Sequence, residues 1–382
     1  MNLIANFVSR VPTLLGPHPH LPFIVGPNLN PTFTRTLPFV VAAFAALVLP
    51  TAAKADVQAL VFPDVSYLSH SSVAPGEARS KSEVGVGLFA SGKHADFVWL
   101  AEYFKSKSES EMERLQVGWR FGERDVLWLG RMHTPIGFWN TEYHHGTYLQ
   151  TTRHRTQLDD FEDENSPLPK HFIGLLWDGS RATSAGGLVS YSFAWGQQPR
   201  WGETSFEPRD ILGRIKTGRH RYGGTARVSY RADEVGSDQA GVSVHHFTAL
   251  GDGLPVRTVE QTALAAHVVK TVGSLKLSST LVVAKNTVTT AKVAKGHFFT
   301  MWLQAEHPVV DKVTAYARTE RTFRVNADPL LQMMPGFEHQ ERLVGLRWDF
   351  ATNQALRIEF IDGRRLNGID RELAINWSAV FP

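Results

Sequence analysis

The sequence predicts an all-β chain that closes into a transmembrane antiparallel up-and-down barrel of about 16 strands, and three observations carry that prediction. The first is the carboxy-terminal run Arg371–Phe381, where Leu373, Ile375, Trp377, Ala379 and Phe381 alternate with Glu372, Ala374, Asn376, Ser378 and Val380. Period-two alternation gives such a strand one apolar face, and a closing barrel strand needs a lipid-facing stripe with an interfacial aromatic. The trailing Pro382 departs from the usual terminal aromatic. The second is an export leader. Leu37–Leu49 is an apolar run of about 13 residues, too short to span a bilayer, preceded by Arg35 and followed by Ala53-Lys54-Ala55. Residues 1–55 therefore read as a leader with its apolar region at 37–49 and cleavage after Ala55, and 56–382 as the barrel. The third is a rhythm of strand-length runs separated by alternately short and long connections.

In chain order the runs fall near 57–68, 82–90, 94–104, 111–121, 125–132, 170–178, 183–195 and 221–231, then 239–249, 260–270, 273–284, 296–307, 311–321, 340–350, 353–363 and 371–381. Most have the 9–11 residues that a tilted membrane strand needs. Pro63 makes the first run the weakest, since proline suits only edges and bulges. In 221–231, Tyr222, Gly224, Ala226, Val228 and Tyr230 share one face, with Tyr at both ends as in interfacial girdles, while Thr225, Arg227, Ser229 and Arg231 share the other. In 111–121, Leu115, Val117, Trp119 and Phe121 oppose Gln116, Gly118 and Arg120; in 353–363, Leu356, Ile358 and Phe360 oppose Arg357 and Glu359. Repeated charge on the second face requires water there. Short connections are expected near 91–93, 122–124, 179–182, 271–272, 308–310 and 351–352, and long ones at 133–169, 196–220, 286–295 and 322–339. A soluble sandwich has no reason to sort loop length by parity.

Cysteine is absent, which excludes disulfide and thiol chemistry. The first 55 residues hold Arg10, Arg35 and Lys54 and no acid, so the remainder carries 37 basic and 37 acidic side chains. A neutral chain without a Lys/Arg stripe gives no footprint for nucleic acid. No apolar segment after Ala55 approaches the ~18 residues of a membrane helix, so entry into a membrane requires a closed barrel.

The densest local signal is Leu129–Gly179. Gly130-Arg131-Met132-His133-Thr134-Pro135-Ile136-Gly137-Phe138-Trp139-Asn140, then Tyr143-His144-His145-Gly146, Phe161-Glu162-Asp163 and Leu168-Pro169 with His171, resembles a family of poorly characterised bacterial outer-membrane porin-like barrels, similar in architecture to general and phosphate-selective porins. The resemblance is dense over about 50 residues; elsewhere only strand pattern and loop rhythm support it. It implies residence in the outer membrane, passive channel activity, contact with outer-membrane lipid and lipopolysaccharide, insertion by the barrel assembly machinery, and the homotrimer that many such porins form. Counting strands makes this segment the third outer loop, which in porins folds into the lumen and narrows it.

Its contents suit a constriction. Asp159, Asp160, Glu162, Asp163 and Glu164 form an acidic run, and Arg153, His154, Arg155, Lys170 and His171 supply the opposite sign; rings of charge set selectivity. By parity Arg120, Arg131, Arg227, Arg231, Lys276, Arg318, Arg347 and Arg357 face inward with Glu102, Glu306, Glu320, Asp349 and Glu359, a mild basic excess that favours anions. The expected field has loop acids facing an arginine wall. Trp139, Asn140, Tyr143, His144 and His145 are expected to anchor the loop. Glu142, His144, His145 and His133 contain metal-ligating types, but neighbours on an extended segment point apart, so no metal site and no cofactor is expected. Ser243 and Thr262 near His245, His246 and His267 show no triad spacing, and no nucleophile elbow appears, so no catalytic residue is assigned. The sequence thus points to a diffusion channel for small hydrophilic solutes. A barrel enzyme acting on lipid and a structural or adhesive barrel are the other classes.

Overall fold

A computed structural model describes residues 56–71, 79–107, 109–143, 146–160, 165–209, 211, 221–233, 236–251, 255–366 and 368–382. The leader expected over 1–55, His144, His145 and Glu162–Glu164 lie outside the described residues. The strands in chain order are β1 (Asp56–His70), β2 (Ser80–His94), β3 (Phe97–Ser106), β4 (Ser110–Arg120), β5 (Asp125–His133), β6 (His171–Ala182), β7 (Leu188–Gln197), β8 (Arg200–Trp201), β9 (Phe206–Glu207), β10 (Tyr222–Arg231), β11 (Gln239–Leu250), β12 (Thr258–Val272), β13 (Leu275–Thr289), β14 (Val293–Val310), β15 (Val313–Phe323), β16 (Glu338–Ala351), β17 (Gln354–Arg365) and β18 (Gly368–Ala379). All but β8 and β9, a small separate ribbon, close into one barrel of sixteen strands. Each of the sixteen runs expected from period two corresponds to one wall strand.

Closure joins β1 to β18, with Asp64 opposite Ser378 and Tyr67 opposite Ile375. Beyond Asp64 the ladder lapses until Val61 and Phe381 exchange bonds of 2.8 and 2.9 Å. Pro63, which has no N–H to give, lies in that lapse and remains paired with β2 through Val86.

Alternation along the strands sorts the wall. Val228, Tyr230, Val344, Leu346, Ile358, Phe360, Leu373 and Ile375 are exposed outward, while their sequence neighbours Ser229, Leu343, Arg357, Glu359, Ala374 and Asn376 are buried. An apolar outer band on a wall with no free edge is what a bilayer demands, because every backbone group must pair within the wall. This is a multi-pass barrel of the outer-membrane type.

Several connections differ from expectation: the turns expected at 91–93, 271–272 and 308–310 come two to four residues later, because β2, β12 and β14 run on to His94, Val272 and Val310. The 286–295 region is mostly strand, since β13 runs to Thr289 and β14 starts at Val293; Val288 continues the buried parity of Ala284 and Asn286. The turn expected at 179–182 sits at 183–187, where Gly186 takes a positive φ of 83°. The longest connections, 134–170, 198–221 and 324–337, all leave the same end of the barrel. They converge on one apolar cluster: Ile136, Phe138, Trp139 and Leu158 from the first, Trp201 and Phe206 from the second, and Leu330, Leu331 and Phe337 from the third. These pack on Phe247, Ala263, Val282, Ala284 and Trp302 from the inner face of β11–β14. The interior is therefore not wet all round. Its β11–β14 side is a dry core, and charge is concentrated on the side of β14–β18.

Candidate functional site

Segment 134–170 begins with a backbone clasp. The Thr134 amide donates to the Lys170 carbonyl at 2.7 Å, and Asn140 Nδ2 donates to both the Thr134 and Lys170 carbonyls, at 2.7 and 3.2 Å. Lys170, fully buried, bonds to the Leu158 carbonyl and lies 3.7 Å from Asp159. Gly137 turns the chain with a φ of 69°, and its amide donates to Ser243 Oγ on β11 at 3.1 Å. A single helical turn, Trp139–Glu142, follows. Trp139 packs edge-on to Trp302 of β14 and to Tyr143, its indole donates to Gln150, and the Arg318 guanidinium lies over its ring. Glu142 sits between Arg227 and Arg231 of β10, at 3.5 and 3.7 Å.

Beyond this turn the chain is largely irregular, and its free backbone groups must find partners if they are to be buried. The wall supplies both kinds. Arg357 donates to the carbonyls of Thr151, Thr147 and Gln150 at 2.9, 2.9 and 2.7 Å, while its other nitrogen holds Asn376 and Ser378. Arg347 donates to Tyr148 and Gln150 carbonyls, and Arg318 to those of His154 and Arg155. Wall carboxylates take the N–H groups: Glu359 accepts from the Arg153 and His154 amides, and Glu320 from those of Gln157 and Leu158.

Two side chains of the segment complete the arrangement. Arg153 reaches Glu83 of β2 at 3.0 Å and Glu372 of β18 at 3.2 Å. His154 Nε2 lies 2.9 Å from Glu341 of β16, which also receives Arg318 at 2.8 Å. Burial opposes the imidazolium, but the Glu341 carboxylate outweighs it and holds His154 up at about 10. Burial likewise opposes the Arg153 charge, and Glu372 and Glu83 more than offset it.

The expected polarity is thus reversed where segment and wall meet. Cations of the segment face wall acids, and the wall arginines bind neutral carbonyls. Asp159 bonds instead to Thr156 of its own segment, Arg155 donates to the Asp159 carbonyl, and Asp160 is half-buried. Arg120, Arg227, Arg318, Arg347 and Arg357 all share the parity of the inner face. Arg131 does not. In register with Leu115 and two residues from the exposed Leu129, it belongs to the outward set, where it bonds Glu111 and the carbonyls of Glu113 and Arg209. The inward residues of that stretch are Trp128 and Met132. Glu83, Glu341 and Glu372 are not among the sequence-assigned lumen residues, although they fall within the runs 82–90, 340–350 and 371–381 and alternation there places all three inward.

No family model and no curated protein sequence matches the chain. Solved structures do. The chain is similar to an anion-selective porin from Comamonas acidovorans, with 13% identity, 86% of this chain and 100% of that one covered, and a TM-score of 0.55. It is similar to the outer-membrane channel DcaP of Acinetobacter baumannii, with 9% identity, coverage of 86% and 98%, and a TM-score of 0.55. It also matches OmpT, an outer membrane protein of Vibrio cholerae solved in a trimer form, at 9% identity, coverage of 86% and 100%, and 0.53. At such identities the likeness is one of fold: a sixteen-stranded porin-like barrel.

Proposed function

We propose that the protein is a porin, a passive channel for small hydrophilic solutes, with segment 134–170 folded into the lumen as its constriction. The observation that carries this is the run of hydrogen bonds from Thr147 through Leu158 to inward side chains of β15, β16 and β17. A polar strip so placed divides the lumen without closing the wall, as a constriction must. The reading assigns no catalytic step, and places the protein as a homotrimer in outer-membrane lipid and lipopolysaccharide after insertion by the barrel assembly machinery.

A weak preference for anions follows from the wall. Arg227 and Arg231 both pair with Glu142, with Asp178 also near Arg227, and Arg120 has no ion pair among the described residues, so a small basic excess borders the lumen. One structural neighbour is an anion-selective porin, but at 13% identity the preference here rests on these residues. Purified protein in a planar bilayer should give discrete conductance steps, and deletion of Gln157–Ser166 should enlarge them. In a salt gradient, Arg227→Gln with Arg231→Gln should move the reversal potential toward cations. A silent protein that is folded would refute the channel; release of fatty acid from phospholipid vesicles would favour the enzyme class instead.

A further inference from the structure

We propose that Glu113, His133 and His171 form a binding site for a divalent transition-metal ion, at the neck of segment 134–170. Their ligating atoms all lie within 4.8 Å of one another. His171 Nε2 is 2.9 Å from Glu113 Oε2, and the two imidazole rings are 4.9 Å apart. Glu113 is 1% and His171 5% exposed, so this is a buried site rather than a surface coincidence.

The topology builds it. His133 ends β5, His171 starts β6, and the two are direct cross-strand partners, so their side chains share one face. The third ligand comes from β4. Glu113 shares the parity of Leu115, which pairs with Arg131, so two residues further along it lies alongside His133; the pairing of β3 with β4 shifts between Glu102 and Tyr103 at this point, which leaves Glu113 without a β3 partner. The face is the outward one, that of Leu129 and Leu175, but at the loop end of the strands, where Gln198 and Arg209 adjoin His171. Glu109 and Glu111 bring two further carboxylates to Glu113, with Arg131 bonded to Glu111. Two imidazoles and a carboxylate suit zinc, cobalt or nickel, and a water or Glu111 would complete four-coordination. Because His133 and His171 immediately flank 134–170, a bound ion would tie the two ends of that segment together.

The test is zinc titration of the folded, detergent-solubilised protein by calorimetry, with cobalt(II) absorption to report coordination. Wild type should bind one ion per chain. His171→Ala and Glu113→Gln should each weaken binding at least tenfold and remove the cobalt bands, while the heat-modifiable migration of a folded barrel persists. Should His171→Ala fail to fold, His133→Ala serves in its place. Absence of saturable binding, or binding unchanged in folded variants, would overturn the site and leave His171 and Glu113 as an ion pair only.

Discussion

Replacing Arg357 with glutamine should loosen residues 147–151 while leaving the barrel closed. Arg357 is fully buried, and three of its closest bonds go to carbonyls of this stretch, two of them from one guanidinium nitrogen. Hydrogen bonds from a charged donor contribute about 1.5–3 kcal/mol each, but bonds sharing one side chain do not add, and Arg347 still holds Tyr148 and Gln150. A net loss of about 2–4 kcal/mol in the free energy of local opening is therefore expected. At about 1.4 kcal/mol per factor of ten, that is roughly 30- to 700-fold faster exchange. Hydrogen exchange by mass spectrometry would read it at the amides of Leu149 and Gln150, which bond within the segment at 2.9 and 3.1 Å. Glutamine can keep a bond to Asn376 or Ser378, so β17 and β18 should stay protected. Unchanged exchange over 147–151 in a folded variant would refute the claim that the wall holds this segment, and equal loss across β16–β18 would show that Arg357 serves the wall instead.

Depth on the lipid face sets the next expectation. Ile358→Arg, on the exposed outer face, should cost about 2–4 kcal/mol and reduce the folded fraction after refolding into lipid. Trp377→Arg should cost only about 0–1 kcal/mol, because its indole donates to Gln354 at the turn end of the wall; equal effects would show that the bilayer is placed wrongly. His154 predicts a pH dependence. Its folded value of about 10 stands above the ordinary ~6.5, so its pairing with Glu341 contributes in full below about 6.5 and is lost as pH rises through about 10. The thermal midpoint should fall over that window by more in wild type than in His154→Gln, and parallel curves would count against the pair. Gly174→Ala should impair folding, since a Cβ there would lie 2.2 Å from the Trp195 carbonyl oxygen and 2.5 Å from the Gly196 Cα, neither of which can swing aside. A normal yield of heat-modifiable barrel from that variant would contradict the close approach of β6 and β7.

The wall was legible from sequence because lipid and lumen impose opposite chemistry on alternate residues, and Tyr222–Arg231 or Leu356–Phe360 carry that alternation without ambiguity. What lines the lumen was less legible. Val98, Trp128, Met132 and Phe172 are buried at inward positions, and an apolar residue there blurs the period that charged ones sharpen. Arg131 was misplaced for a related reason. A charged residue on the outward parity looks like a lumen residue unless the strand is known to extend past the apolar band, as β5 does beyond Leu129. Glu113 illustrates the limit of pattern reading: alternation with Leu115 and Val117 puts it on the outward face, but that it meets His133 and His171 there is a fact of pairing that no single strand records.

The segment itself exposes a more general difficulty. Its charged residues suggested a field between loop acids and wall arginines, yet the bonds run mostly through backbone. An inward arginine binding a carbonyl keeps its charge but has that charge covered, whereas Arg227 and Arg231, with Glu142 between them and Asp178 near Arg227, donate to no backbone carbonyl among the described residues and stay less covered. Counting inward charges by parity therefore overstates the β14–β18 side and understates β10. If ions follow residual rather than total charge, neutralising Arg227 and Arg231 should change selectivity more than neutralising Arg318, whose guanidinium is already committed to Glu341 and to the carbonyls of His154 and Arg155. Loss of Arg318 should instead act on conductance, by freeing the segment. A larger reversal-potential shift from Arg318→Gln than from Arg227→Gln would mean that the ion path runs beside β15 rather than β10.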